Sequence, residues 1–180
     1  MTHPRRLRNR SSEQRSGLSR LFGLLIAAVL LCGSNAALPA TMEVVVVGVT
    51  DGDTLVVLEG GKFQHKVRVA GIDAPEKRQA FGRKAQNALA SAVHQRTVVL
   101  DWHKKDRYGR VVAKVLIADR DIGLELVAAG WAWHYKDYQH EQMPKDRRTY
   151  ASAEVAARQR RLGLWADATP IAPWDFRQAK

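Results

Sequence analysis

Three short stretches of this sequence combine residue types that handle phosphorus and hard cations: Asp51-Gly52-Asp53, the run from Arg68 to Asp73 and Glu76, and Asp106-Arg107-Tyr108-Gly109-Arg110. Neighbouring carboxylates repel unless a cation or a proton lies between them. Asp53 and Asp73, with a backbone carbonyl and waters, would form an all-oxygen site suited to calcium, and no His or Cys belongs to the cluster to favour a transition metal. Arg68 and Arg110 add planar donors that can hold two phosphate oxygens at once. Glu76 is then left to orient or deprotonate a water. Positive charge around phosphorus and a carboxylate beside the water are the parts that phosphodiester hydrolysis requires.

Taken singly, each piece has an ordinary explanation. Asp-Gly-Asp is a common turn, an arginine on a strand is usually solvated, and Ile72-Asp73-Ala74-Pro75-Glu76 could be a capped loop. The chemistry depends on elements that bring the pieces to one rim. Val67, Val69 and Gly71 alternate with Arg68, Ala70 and Ile72 in the period of a strand. Pro75 pushes Ala74 away from helix and ends the run. Upstream, Glu43–Val49 is a β-branched strand, Thr50–Asp53 turns the chain, and Thr54–Leu58 returns as a hairpin. Gly60-Gly61 makes the next turn into Phe63–Gly71.

From Ala80 the period becomes helical, with Phe81, Ala85, Ala88, Leu89, Ala92 and Val93 on one face. Thr97–Trp102 and Arg110–Ile117 are two further strands. Asp121 caps a short helix ending at Gly130, and a last helix begins at Asp146 or Thr149 and runs through Arg161. Five strands with helices inserted late do not alternate as α/β units. The pattern predicts an α+β domain, a small closed β-barrel with about three packed α-helices, over residues 42–166. Pro170 and Pro173 predict an extended tail over 167–180, held down by Trp165 and Trp174.

The net charge of +11 is concentrated at the N-terminus, where six arginines precede residue 21; the rest carries 23 basic and 17 acidic residues, a net +6 suited to a polyanion. Cys32 is the only cysteine, which excludes disulfides and Cys-ligated metal from the folded part. The basic start, the apolar block Leu21–Cys32 and the small residues after it follow the order of a secretory signal over residues 1–36. The block is shorter than the roughly 20 residues of a membrane span. Export to the periplasm or medium is expected, with an uncleaved membrane tether as the alternative.

The ordered set Asp51-Gly52-Asp53-Thr54, Arg68 five residues before Asp73-Ala74-Pro75-Glu76, and Asp106-Arg107-Tyr108-Gly109-Arg110 resembles the thermonuclease family of staphylococcal-nuclease-like domains, over about Glu43 to Trp165. The resemblance implies a five-stranded OB-fold barrel and a calcium-dependent nuclease of DNA and RNA, with single strands favoured, that leaves 3′-phosphates. By position it implies that Asp53, Asp73 and the backbone carbonyl of Ala74 hold calcium. Arg68, Glu76 and Arg110 match the catalytic trio, and Arg107 and Tyr108 match residues that contact the nucleotide phosphate. Tyr135 or Tyr138 corresponds to the tyrosine of the base pocket. Ala74 stands where the family commonly has Thr, and only Lys77-Arg78-Gln79 separates Glu76 from the helix. His134 is expected to pack rather than react. A monomer without a stable protein partner is expected. The competing class is a non-catalytic OB-fold module that binds single strands through basic and aromatic residues; such a module has no need of Asp53, Asp73, Glu76 and both arginines together.

Overall fold

The computed structural model describes residues 40–179, which lie within the unit Ala37–Lys180. The segment read as a secretory signal lies outside the described residues. Strands β1 (Ala40–Val49), β2 (Thr54–Glu59) and β3 (Phe63–Val69) form an antiparallel meander. A short strand, β4 (Ile72–Asp73), precedes helix α1 (Gly82–Val93); β5 (Thr97–Lys105) and β6 (Val111–Ile117) follow. β1 pairs with β5, β5 with β6, and a parallel pairing of β3 with β6 closes the five strands into a barrel. The predicted five-stranded α+β fold of OB type is therefore present.

The interior follows from alternation along each strand. Val44 and Val46, Leu55 and Val57, Val67 and Val69, Val98 and Leu100, and Val111, Ala113 and Val115 are all buried in one core. Leu89, Ala85 and Val93 of α1 join it, at the spacing of one helical face. After β7 (Arg120–Asp121), the Asp121 carboxylate accepts from the Leu124 backbone N–H at 3.2 Å and caps α2 (Ile122–Ala128), as its position predicts. The same carboxylate accepts the hydroxyl of buried Tyr150 at 2.8 Å, which ties α2 to α3 (Pro144–Gln159). Helix α3 starts at Pro144 rather than at Asp146 or Thr149, because proline is preorganised for the first helical position and has no N–H to leave unpaired.

Two boundaries near the site differ from expectation. The third strand stops at Val69, and Gly71 at φ +75° redirects the chain so that β4 pairs instead with β8 (Trp133–His134). The positive φ favours glycine at Gly71, and a Cβ there, 2.3 Å from Gln142 Nε2, would also have to move the Gln142 amide. The tail is also not extended throughout. After 3-10 turns at Lys136–Glu141 and Gly163–Ala166, Pro173–Gln178 forms α4, with proline at its start and Asp175 in its first turn. Buried Ala172 packs in a second cluster with Trp133, Ala157, Leu164 and Trp165, and Trp174 lies against that cluster.

Candidate active site

Val67 and Val69 point into the barrel, so Arg68 between them points to the other face of its wall. The register of β2 on β3 sets Thr54 opposite Arg68 and so brings the preceding Asp53 alongside. Arg68 Nη1 is 3.0 Å from Asp53 Oδ2, its Nη2 is 3.0 Å from Asp73 Oδ1, and Nη1 also donates to the Val69 carbonyl at 3.2 Å. One guanidinium thus bridges the two carboxylates that the sequence pairs. Both aspartates are buried, Asp73 to 1% exposure. Burial pushes the Asp73 carboxyl up, against the pull of Arg177 and Arg68. Burial and the adjoining Asp53 likewise push the Asp51 carboxyl up to about 6. Asp53 is further held by the Ala74 backbone N–H at 2.9 Å and by the Thr54 hydroxyl at 3.1 Å.

Pro75 and the following turn carry Glu76 to the rim, where its side chain is about one-third exposed. The Glu76 carbonyl accepts from the Gln79 N–H at 2.7 Å, and Gln79 Oε1 accepts from the Glu76 N–H at 3.0 Å. Gly82 closes this turn at contact distance: a Cβ there would fall 1.9 Å from the Glu76 carbonyl oxygen. The short link after Glu76 therefore leaves no slack between the carboxylate and α1.

The parallel pairing of β3 with β6 brings Arg110, one residue before β6, to the same rim. Asp106 organises its turn. One carboxylate oxygen accepts the N–H groups of Tyr108 and Arg110 at 2.9 and 3.0 Å, and the other accepts Arg110 Nε at 2.7 Å. Partial burial opposes ionisation of Asp106, but these bonds outweigh it and hold the carboxyl below its ordinary value. Arg107 and Arg110 both lie over the ring of exposed Tyr108, at 5.1 and 5.5 Å.

Asp51, Asp53, Arg68, Asp73, Ala74, Glu76, Asp106, Arg107, Tyr108 and Arg110, with Tyr135 and Tyr138, line one cleft of about 600 Å³. Tyr135 is half-buried and donates its N–H to the Gly71 carbonyl at 2.9 Å, a consequence of the β4–β8 pairing. Tyr138 is more exposed; the two rings are 5.0 Å apart, and Lys104 lies over Tyr138 at 5.5 Å. His134 is fully buried and pairs with Gln142 Oε1 at 2.8 Å, outside the cleft lining.

Three residues of this site were not expected from the sequence. Arg177, on α4, donates to Asp73 Oδ2 at 2.8 Å, to Asp73 Oδ1 at 3.3 Å and to Glu76 Oε1 at 2.9 Å. These bonds raise its pKa above the ordinary arginine value. Trp174 stacks on Tyr135 with rings 5.5 Å apart and 13° from parallel. Gln79 Nε2 donates to the Ile171 carbonyl at 2.7 Å and so joins the Glu76 turn to the C-terminal segment. The helix-start pattern at Pro173 and Asp175 was a usable sign of α4; nothing local marks Gln79.

The buried carboxylate oxygens of Asp53 and Asp73 are donors of the kind a hard divalent cation takes, and Arg68 and Arg177 engage them here. Among the described residues, no group of three or more His, Cys, Asp or Glu side chains forms a metal cage. A cation here would draw on Asp53 and Asp73, with its remaining ligands from backbone and water.

Comparison with known proteins agrees with this arrangement. A family model described as staphylococcal nuclease homologue matches residues 66–167. The chain is 44% identical over 133 residues to a Haemophilus influenzae protein described as an uncharacterized endonuclease, covering 74% of this chain and 71% of that one. It is 38% identical over 170 residues to the ParB protein of Escherichia coli, covering 88% and 93% of the two chains. It is also 35% identical over 174 residues to a micrococcal nuclease of Shigella flexneri, covering 92% and 96%. The matched region spans the barrel from within β3 to the second 3-10 turn, and with it most of the charged cleft: the chain belongs to the staphylococcal nuclease family.

Proposed function

We propose that this protein is a calcium-dependent nuclease that hydrolyses phosphodiester bonds of DNA and RNA, favouring single strands, and leaves 3′-phosphate ends. The observation that carries the reading is the convergence of Asp53, Asp73, Glu76, Arg68 and Arg110 on one cleft. The names of the Haemophilus and Shigella relatives support the reaction class.

In this reading Asp53, Asp73 and the Ala74 carbonyl hold calcium, which when bound supplies Lewis-acid stabilisation of charge on the phosphate. Arg68 has five N–H groups, more than its three protein acceptors use, so it can bind a phosphate oxygen while keeping both aspartates. Arg110, held through Nε by Asp106, binds the phosphate from the β6 side of the cleft. Glu76 orients the attacking water and accepts its proton. Leaving a 3′-phosphate means that the water oxygen bonds to phosphorus while the P–O5′ bond breaks and the 5′ oxygen departs as a hydroxyl. Arg107 and Tyr108 contact the nucleotide phosphate, and Tyr135, backed by Trp174, provides the face for the base, with Tyr138 at its edge. A neighbouring groove lined by Lys77, Arg78, Arg83 and Lys84 adds positive charge for the strand beyond the cut.

The test is hydrolysis of single-stranded DNA and RNA with calcium or with chelator, by the unmutated protein and by Glu76→Gln. Glu76→Gln is expected to be slower by about 10²–10⁴-fold, the range for a positioned acid or base. Strand binding without calcium-dependent cutting would instead assign the domain to the non-catalytic OB-fold class. The same reading takes the protein to be a monomer exported through its N-terminal segment. Sedimentation and the mass of the mature N-terminus test those two points, the second also deciding between secretion and a membrane tether.

A further inference from the structure

The C-terminal segment lies beyond the stretch matched by the family model, yet it is built into the cleft at three points. The Ile171 carbonyl accepts from Gln79, Trp174 stacks on Tyr135, and Arg177 reaches Asp73 and Glu76. These contacts place a guanidinium between the buried carboxylate read as a cation ligand and the carboxylate read as the water's partner.

The oxygens of the two aspartates are all engaged. Thr54 occupies Asp53 Oδ1, and Ala74 and Arg68 share Oδ2. Arg68 engages Asp73 Oδ1, and Arg177 engages Oδ2. A cation that uses Asp73 must therefore share with or replace one of the arginines. Arg68 cannot leave easily: it lies one residue before the end of a barrel strand, is paired there on both sides, and has a side chain 14% exposed. Arg177 can. It projects from a helix of only six residues, with a side chain 42% exposed. An exposed ion pair is ordinarily worth little, but this one has a partner carboxylate almost wholly removed from water, where loss of a counter-ion is costly.

We propose that Arg177 is an internal counter-ion of the cleft, which competes directly with a divalent cation for Asp73, holds Glu76 until the cation arrives, and so sets the cation affinity of the protein. It neutralises Asp73 and Glu76 before loading, and loading requires its guanidinium to withdraw. The inference rests on the cation-dependent reading of the site given above.

Calcium titration by calorimetry of the full chain, unmutated and as Arg177→Met and Arg177→Lys, tests it without any measurement of cutting. Arg177→Met is expected to bind calcium about tenfold more tightly, the scale of one charge-assisted hydrogen bond partly open to water. Arg177→Lys should fall between, because an ammonium lacks the planar fork that spans two carboxylates. A purely structural arginine would instead weaken binding when removed. Equal or weaker calcium binding by a folded Arg177→Met overturns the competition and leaves the cation-dependent reading standing. No divalent binding by any of the three proteins overturns both. Should Arg177→Met not fold, the unmutated protein decides: the Arg177 guanidinium 15N resonances should shift in step with calcium saturation, and resonances that stay fixed through saturation refute the proposal.

Discussion

Replacing Arg68 by Met tests how far the cleft is an electrostatic unit. The side chain bridges Asp53 and Asp73, both with contacts of 3.0 Å, in a place where all three side chains are at most 14% exposed. Methionine preserves much of the packed stem and leaves two buried carboxylates facing each other. Removing one partner of a buried ion pair costs about 3–5 kcal/mol. The lower end, about 3 kcal/mol, is expected here because Thr54, Ala74 and Arg177 continue to engage the two carboxylates. The loss should depend on pH. Asp73 already holds its proton more strongly in the folded protein than an ordinary aspartate does, so ionising it costs stability as pH rises. Taking away Arg68 enlarges that cost, so the gap between variant and parent should be widest near neutrality and narrow as acid protonates Asp73. Urea unfolding at a series of pH values in chelator measures the gap directly, and a Arg68→Met/Asp53→Asn double variant should recover part of it. Equal stability of parent and Arg68→Met at neutral pH would refute the bridge as a stabilising contact, whatever happened to catalysis.

Gly82→Ala must displace the Glu76 carbonyl, 1.9 Å from the added carbon. It is expected to cost about 1–3 kcal/mol, the usual range for overpacking, and to slow cutting at saturating substrate well below the unfolding temperature; a parental rate would show that the Glu76 turn is not held through α1. His134 is kept neutral chiefly by burial, against Gln142 and Glu154, so its pKa lies below the ordinary 6.5. As pH falls below that value the unfolded chain takes up a proton that the folded protein resists, so stability should fall by up to about 1.4 kcal/mol per pH unit. Urea midpoints between pH 7 and pH 5 test this, with a shallower slope expected for His134→Phe and an unchanged slope counting against it.

The barrel and most of the cleft were legible in the sequence because they depend on local order. Alternation of Val67 and Val69 around Arg68 forces the arginine out of the core, Pro75 and the short link seat Glu76, and Asp121 and Gly130 bound a helix by capping. Each of these is decided by residues a few positions apart. Hydrophobic period and turn chemistry likewise determined the five barrel strands, although not the break at Gly71, where the pairing of Ile72 and Asp73 with Trp133 and His134 depends on a partner some sixty residues away.

What only the tertiary structure decided is who neutralises whom. The sequence pairs Asp53 with Asp73 as a site in want of a cation, and it offers Arg68 and Arg110 as phosphate ligands. The closed barrel makes Arg68 a counter-ion to both aspartates and gives Arg110 to Asp106. The C-terminal proline pair reads as an extended tail, yet Ala172 and Trp174 pack on or against a cluster with Trp133 and Trp165, and that anchorage turns the last residues back over the cleft. Arg177 then meets Asp73 across 104 positions of sequence. Charges interact through space at distances that chain order does not encode, so the residue types announce the chemistry while the fold assigns each charge its partner.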